Sequence, residues 1–556
     1  MKRLQLLVCL MSVFAVMQAK ADYDVYLLIG QSNCAGRGPM ISSDTTDAIP
    51  GVYLLNNKGK AEEAIAPLNR YSNIRKDMKV QGIGIGVGFG AKMHRWTNRK
   101  VLLVQNARGG SSIVSWTPGS PDGYADSAIV RARQALKYGR LKAIVWHQGE
   151  TDTQKGMTTG EYVERFSKLI AYLRAELNAP DVPVTVGEIG QWEWTSMRDI
   201  RHFNDTTLAE VCKAVPNCAK VSSDRLPRRF KDKPRDPHFS RQAEIELGER
   251  YARNLLPRVQ EVYVAPYRDN KPAAISFTYD DGLMEHYTMV APELEKRGFR
   301  GTFWIIGNMV GVNDTVSPRL TWDKVREMHQ RGHEMSSHSW SHPHLTRLSK
   351  DSLLREILMN DSAIERATGV RPRTFCYPYN GFNDLVLKLT RNGRVGTRTH
   401  QVGHGQQNNK TTPEKLTAWL NDVIEQGEWG VTMTHGITRG YDKWYHPEVL
   451  WNFYDEVKAR EDSVWVATFA EVAAYQSERD NTLLKVSRGK HHITVRTKYC
   501  ADKRLFHEPL TLIFSLPEGV GEVRATQDGR SLTVTRQGNT ARLNFEPWGK
   551  KVKIKW

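Results

Sequence analysis

Two groups of residues in this chain of 556 carry the means for hydrolysis, each by a different route. The first is Gly30-Gln31-Ser32-Asn33, which closes the apolar run Val25–Ile29 and sets a serine hydroxyl at its end. The second is Tyr279-Asp280-Asp281-Gly282 together with His338-Ser339-Trp340-Ser341-His342, two acids and two imidazoles of metal-ligand type. One chemistry uses a hydroxyl nucleophile and the other an activated water, and both can remove an acyl group.

A serine hydroxyl is a weak nucleophile and needs a base. His238, in Asp236-Pro237-His238-Phe239, is the candidate, some 200 residues downstream and just ahead of a helical pattern. The charge that develops on the attacked oxygen needs hydrogen-bond donors. Gly109-Gly110-Ser111-Ser112 offers backbone N–H groups after one strand-like run, and Trp146-His147-Gln148-Gly149-Glu150 offers the Gln148 amide after another. At the second group, the four-residue spacing of His338 and His342 matches one helical turn, which would aim both rings at one ion. Asp281 adds a carboxylate from a strand end, Asp280 can take a proton from water, and His435 in Thr434-His435-Gly436 can protonate a leaving group.

These residues need elements to hold them. The runs Val25–Ile29, Val101–Gln105, Leu141–Trp146 and Val182–Ile189 read as buried strands, with helical patterns such as Glu161–Leu177 between them. The alternation predicts an α/β fold with a parallel sheet covered on both faces, and active residues at the carboxyl ends of its strands. The stretch 82–90 alternates glycine with apolar residues and holds a Gly86-x-Gly88-x-x-Ala91 pattern. No strand clearly precedes it, so a close-packed loop entering a helix is expected rather than a dinucleotide site. Pro257 to Pro272 forms a break. A second α/β run begins at Ala274, with a helix around Val290–Arg297, a strand at Gly301–Ile306, a helix at Lys350–Thr368 and a last strand-helix unit from Val464 to about 477. From about 481 the chain turns to short alternating segments, at His492–Arg496, Thr511–Phe514 and Lys551–Trp556, which predict a small β-sandwich.

In this order the first set resembles the SGNH (GDSL-like) hydrolases, in the branch of the sialate O-acetylesterases and carbohydrate esterase family 6, over residues 24 to about 255. The resemblance implies a three-layer α/β/α domain, with Ser32 as nucleophile, His238 as general base, and Gly110 and Gln148 as oxyanion donors. Gln148 stands where many relatives have Asn. The acid that usually precedes the histidine by three residues is replaced by Arg235. Glu150 is therefore the expected third member of the triad, ahead of Asp236.

The second set resembles the polysaccharide deacetylases, the NodB-homology or carbohydrate esterase family 4 fold, over about 273–477. That resemblance implies a distorted (β/α) barrel and a divalent metal, zinc being expected, on Asp281, His338 and His342. Asp280 would be the base and His435 the acid, and the backbone N–H of Tyr379 in Tyr377-Pro378-Tyr379 would hold the oxyanion. The arginine usual before this motif is missing, as is the Asp-x-Asp-Trp motif. Arg398 is the substitute partner for Asp280, and His344, His400 and His404 are assigned to loops or cleft lining. The serine module is expected to need no cofactor.

The domains expected are an export signal at 1–21, the esterase at 22–258, the deacetylase at 265–477 and the β-sandwich at 481–556. Lys2 and Arg3, the short apolar stretch Leu4–Met17 and Ala19-Lys20-Ala21 form the signal pattern, so periplasmic or secreted location is expected. No later segment is long and apolar enough to span a membrane. The five cysteines beyond the signal are too few and too odd in number for a disulfide framework, although Cys212 and Cys218 are near enough to pair. The formal charge is +18, and +15 without Lys2, Arg3 and Lys20. That excess suits acidic polysaccharide or envelope surfaces as well as simple solubility. No nucleic-acid-binding signature accompanies it.

The expected activity is that of an exported two-module carbohydrate esterase removing O-acetyl groups from a plant polysaccharide, acetylated xylan foremost. A second expectation makes the metal module an N-deacetylase of chitin or peptidoglycan beside a sialate-type O-acetylesterase. A third, of another class, is a glycan-binding protein with decayed catalytic modules. Oligomeric state is not legible.

Overall fold

A computed structural model describes residues 23–233 and 235–556. The export segment expected at 1–21 lies outside the described residues. The chain divides into two compact units, 1–259 and 260–556.

The first unit is built on seven strands: β1 (Tyr23–Gly30), β2 (Val52–Leu55), β3 (Ala61–Glu63), β4 (Lys100–Ala107), β5 (Gly139–His147), β6 (Val184–Gly187) and β7 (Cys218–Val221). Their order is β3-β2-β4-β1-β5-β6-β7, and every pairing is parallel except β2 with β3. The central strands are near-continuous apolar runs because both faces are covered. Val25, Leu27 and Ile29 of β1 join a core with Ala128 and Ile129 of one helix, Tyr124–Ala135, and with Phe166 and Leu169 of another, Thr159–Glu176. Tyr26 points to the other face, where its ring meets Phe89 edge-on at 5.1 Å. The result is the three-layer α/β/α arrangement.

The glycine-rich stretch enters a helix, α1 (Ile85–Thr97), which crosses α2 (Arg241–Val259) at very close range. A Cβ on Gly88 would stand 1.9 Å from the Ile245 carbonyl oxygen, and one on Gly248 would stand 2.0 Å from the Ile85 carbonyl oxygen. The glycines thus serve backbone-to-backbone packing, and the helix they seat begins three residues after His238.

In the second unit the strands Ala273–Ser276 and Thr278–Tyr279 are β9 and β10, after a short β8 (Val262–Val264). They are followed by β11 (Thr302–Ile305), β12 (Glu334–Ser337), β13 (Thr374–Cys376), β14 (Gly396–Arg398), β15 (Val402–Gly403), β16 (Trp429–Met433) and β17 (Val464–Val466). Strands β10 to β14 form one parallel sheet in sequence order, and β15-β16-β9-β17 form another. A parallel bridge from Tyr279 to Thr434 joins them, so the sheet curls as a distorted barrel. The helix expected around Val290 starts as a π-helical turn, His286–Val290, before Ala291–Lys296.

Residues 482–555 add two antiparallel sheets around a core that includes Ile493, Val495, Leu512, Phe514, Phe545 and Ile554. This is the expected β-sandwich with one difference. Strand β8 lies in the stretch read as a break, yet it pairs antiparallel with Leu510–Ser515, so the sandwich takes a strand from ahead of the barrel. Three residues are too short for a periodicity to register, and the flanking prolines masked it. Among the described residues no helix is long and apolar enough to cross a membrane.

Replacing Gly248 by Ala forces a Cβ onto the Ile85 carbonyl. The expected cost is about 2–3 kcal/mol, read as an earlier first transition in urea denaturation, with the transition of the second unit unmoved.

Candidate active sites

Ser32 follows β1 directly. Gln31 N–H donates to the His147 carbonyl at 2.9 Å, and Arg108 N–H donates to the Gly30 carbonyl at 3.0 Å, so the ends of β1, β4 and β5 are laced together. Gly30 has φ +137°, and a Cβ there would stand 2.1 Å from the His147 oxygen. Only glycine permits that turn. Gly110, at φ +73°, occupies the tight turn after β4. Neither its N–H nor that of Ser32 has a protein acceptor among the described residues, so both remain as donors at the strand edge.

The His238 ring is held by Asp236, not by Glu150. His238 Nδ1 makes a short hydrogen bond to Asp236 Oδ1. The His238 backbone N–H donates to the same oxygen at 3.2 Å. Arg229 holds the other oxygen, with Nε at 2.9 Å and Nη2 at 2.7 Å. From two residues ahead, the Asp236 carboxylate thus reaches the ring in the turn closed by its bond to the His238 N–H. Burial alone would raise the Asp236 carboxyl, but His238 and Arg229 outweigh it and keep it below the usual carboxylate range. Burial pushes His238 down to about 4, against the upward pull of Asp236.

Glu150, expected to complete the triad, faces elsewhere. Its Oε1 accepts from Asn33 Nδ2 at 2.6 Å, and its Oε2 has no partner. Burial pushes its carboxyl up to about 7. Asn33 is a residue that sequence reasoning passed over. Its Nδ2 also reaches the Pro237 carbonyl at 3.2 Å, and its Oδ1 accepts from Phe239 N–H at 3.4 Å. The residue beside the serine thus grips the chain on both sides of His238, and Glu150 anchors it.

Gln148 is also corrected. Its Nε2 donates to Ser111 O at 3.0 Å, Gln31 Oε1 at 3.1 Å and Asp152 Oδ2 at 2.5 Å. Its Oε1 accepts from Tyr162 at 2.9 Å. An amide with two N–H groups committed to three acceptors, and no exposed surface, has none to offer an oxyanion.

The second site lies at the carboxyl ends of β10, β12, β13 and β16. His338 and His342 stand on a loop rather than a helix. The turn between them uses left-handed backbone at Ser339 (φ +65°) and His342 (φ +58°), and this brings their Nε2 atoms to 3.2 Å. Asp281, also left-handed at φ +79°, places Oδ1 3.7 Å from His338 Nε2 and 3.8 Å from His342 Nε2. Arg319 Nη1 clamps this strained residue through its carbonyl at 2.6 Å. The three fit a metal. Asp281 Oδ1 is buried without a hydrogen-bond partner. Ligand atoms about 2.1 Å from one ion would stand roughly as far apart as the two Nε2 atoms do. The His338 Nδ1 contact with the Cys376 carbonyl at 3.0 Å leaves Nε2 free to ligate.

Asp280 is 2% exposed and meets Arg398 in a fork, Oδ1 to Nη1 at 2.7 Å and Oδ2 to Nη2. Burial would raise its carboxyl, but Arg398, then His435, hold it well below the usual range. The missing arginine of the Tyr-Pro-Tyr motif is thus supplied from β14. Cys376 occupies the place beside it, its thiol 3.9 Å from Asp280 Oδ2. His435 Nε2 lies 3.9 Å from the same oxygen. Tyr379 takes φ +55° and its N–H has no protein acceptor among the described residues, while its ring stacks on His344 at 4.1 Å. His404 is buried against Trp419.

The profile of the family "carbohydrate esterase, sialic acid-specific acetylesterase" matches residues 22–257, and that of "polysaccharide deacetylase" matches residues 267–395. The chain is a carbohydrate esterase module followed by a polysaccharide deacetylase module. A probable carbohydrate esterase of Arabidopsis thaliana is 27% identical over 241 residues, 40% of this chain and 86% of that protein. The Bacillus subtilis peptidoglycan-N-acetylmuramic acid deacetylase PdaC is 34% identical over 117 residues, 21% of this chain. The Listeria monocytogenes peptidoglycan-N-acetylglucosamine deacetylase PgdA is 34% identical over 115 residues, 20% of this chain. The chain spans 23% of the length of each of these two deacetylases. Of solved structures, one of the Arabidopsis protein aligns with a TM-score of 0.37 at 23% identity, over 43% of this chain and all of that one. One of PdaC aligns at 0.30 and 22% identity, over 39% of this chain and 96% of that one. The deacetylase family is metal-dependent, in keeping with the donor set of the second module.

In the esterase module, chelator-resistant kcat/KM is expected to stay level across neutral pH and to fall as pH drops through about 4, where the His238 ring gains a proton and stops accepting one. Asp236→Asn should depress the rate by about 10⁴-fold, and Glu150→Gln far less. Equal losses would return Glu150 to the triad.

Proposed function

We propose that the protein is an exported two-site glycan deacetylase, whose esterase module removes O-acetyl groups from a plant polysaccharide, acetylated xylan foremost. The observation that carries this reading is the Ser32 hydroxyl at a strand edge that also holds two unspent backbone N–H donors and a histidine seated on Asp236. Ser32 attacks the acyl carbon, His238 takes its proton and passes it to the departing sugar hydroxyl, and water then frees the enzyme by the same route. The N–H groups of Ser32 and Gly110 hold the oxyanion.

In the deacetylase module, Asp281, His338 and His342 would hold a divalent cation, zinc by the chemistry of the donors. Such a cation, when bound, supplies Lewis-acid polarisation of an acyl carbonyl. Asp280, ionised by Arg398, accepts the proton of the attacking water. His435 donates one to the leaving group, and the Tyr379 N–H steadies the acyl oxygen.

A second reading, N-deacetylation by this module, gains from one observation. The absence of the motif arginine counts against it, but Arg398 makes the fork to Asp280 from β14 instead. The curated relatives of this module are named for N-acetylated peptidoglycan and chitin. Location outside the cytoplasm follows from the signal pattern and from the polymeric substrate.

Acetate release from acetylated xylan and from N-acetylated chitooligosaccharide separates these readings. Ser32→Ala should keep only chelator-sensitive release, and Asp281→Ala only chelator-resistant release. Chelator-sensitive release confined to the chitooligosaccharide would establish the second reading for the deacetylase module. Release from neither substrate by the wild type would favour a glycan-binding protein.

A further inference from the structure

The esterase module holds a cation that its own acids do not neutralise. Arg37 is 9% exposed, and Nη1 donates to the Gly36 carbonyl at 2.6 Å. Among the described residues it has no ion-pair partner, and no protein acceptor meets its Nη2. The acid nearest in electrostatic influence is Glu244, which is fully buried and has no partner on either oxygen. Burial, then Glu150, pushes Glu244 well above the usual carboxylate range and so toward the neutral form.

The guanidinium and the nucleophile flank the same glycine, Gly109. The point where a Cβ on Gly109 would stand is 2.3 Å from Arg37 Nη2 and 3.6 Å from Ser32 Cβ. Gly109 is glycine because the guanidinium passes over it. Arg37 and His238 line one cavity of about 440 Å³, together with Lys79 and Arg229, and no carboxylate is among its lining residues. Arg229 is spent on Asp236. A buried cation without a counter-charge costs several kcal/mol, and such a group persists where an anion arrives during turnover. The Gln148 amide, which would have met that anion, is consumed internally.

We propose that Arg37 is a catalytic residue of the esterase module, its Nη2 donating to the acyl oxygen as Ser32 attacks. The inference rests on the serine mechanism given above. The Ser32 Oγ–carbon bond forms while the Oγ proton moves to His238 Nε2. The carbonyl π pair passes onto oxygen beside Nη2. It returns as the carbon–oxygen bond to the sugar breaks, and the leaving oxygen takes the proton from His238. The guanidinium keeps all its protons throughout.

The test uses the full chain carrying Asp281→Ala, in chelator, with p-nitrophenyl acetate, which has no sugar to bind. Arg37→Gln is expected to lower kcat about 100-fold with KM little changed, and added methylguanidinium should restore part of the rate in Arg37→Ala. Gly109→Ala keeps the arginine but drives Nη2 from its place, and should also lower kcat. It carries the test alone if the Arg37 variants fail to fold. A kcat within threefold of wild type in the folded variants, or a loss confined to KM on glycans, would overturn the inference while Ser32→Ala remains inactive. Full chelator-resistant activity in Ser32→Ala would overturn the serine mechanism itself and the role of Arg37 with it.

Discussion

Gly30 stands in register with Ala107 on one side and with His147 on the other. Parallel pairing in the middle of a doubly covered sheet makes three strands end together, and it delivers three loops to one edge. Ser32, the Gly109-Gly110 turn and the Gln148–Glu150 segment are those loops. The alignment is possible only because position 30 has no side chain, since a Cβ would meet the His147 carbonyl. Everything else in the esterase site hangs on this edge. Asn33 can reach back to the backbone around His238 only once β1 has ended there, and α2, which begins three residues after His238, sits there because Gly88 and Gly248 let it press against α1.

The deacetylase site obeys the same constraint with a different device. Its strands β10, β12, β13, β14 and β16 converge on a buried carboxylate, Asp280, and the fork from Arg398 keeps that carboxylate charged in a place where burial would otherwise neutralise it. The neighbouring Asp281 accepts an unfavourable backbone conformation, paid for by the Arg319 clamp on its carbonyl. The two adjacent acids thereby point different ways. One is committed to an arginine, and the other faces two imidazoles with an unpartnered oxygen. A turn of ordinary Asp-Gly type would not separate them so.

What the sequence made legible was the strand-end placing of residues suited to chemistry: Ser32 after an apolar strand, His238 ahead of a helix, and Asp281 with the histidine pair. What it hid were choices made by three-dimensional closeness. Asp236 and Glu150 were both near a strand edge or the histidine on paper, and counting from His238 favoured Glu150. The Asp236 carboxylate bonded to both the ring and the N–H of His238, and the grip of Asn33 on Glu150, decided between them. The His338–His342 spacing suggested a helical turn because four is a helical number, yet two left-handed residues reach the same convergence without a helix. Strand β8 was invisible because three residues between prolines carry no period.

The two modules divide the problem of charge in opposite ways. The deacetylase surrounds its acids with fixed cations, so that Asp280 is ionised before any substrate arrives. The esterase does the reverse. It buries Glu150 and Glu244 with little compensation, lets burial lift their carboxyls, and leaves the Arg37 guanidinium unmatched beside the serine. A carboxylate held charged is suited to accept a proton, and a cation left without a partner is suited to receive negative charge as it forms. The placement of buried acids with raised carboxyls near the serine is therefore part of the same design as the unmatched arginine. If Glu244 were ionised and paired to Arg37, the guanidinium would already be satisfied in the ground state and would add nothing to the transition state.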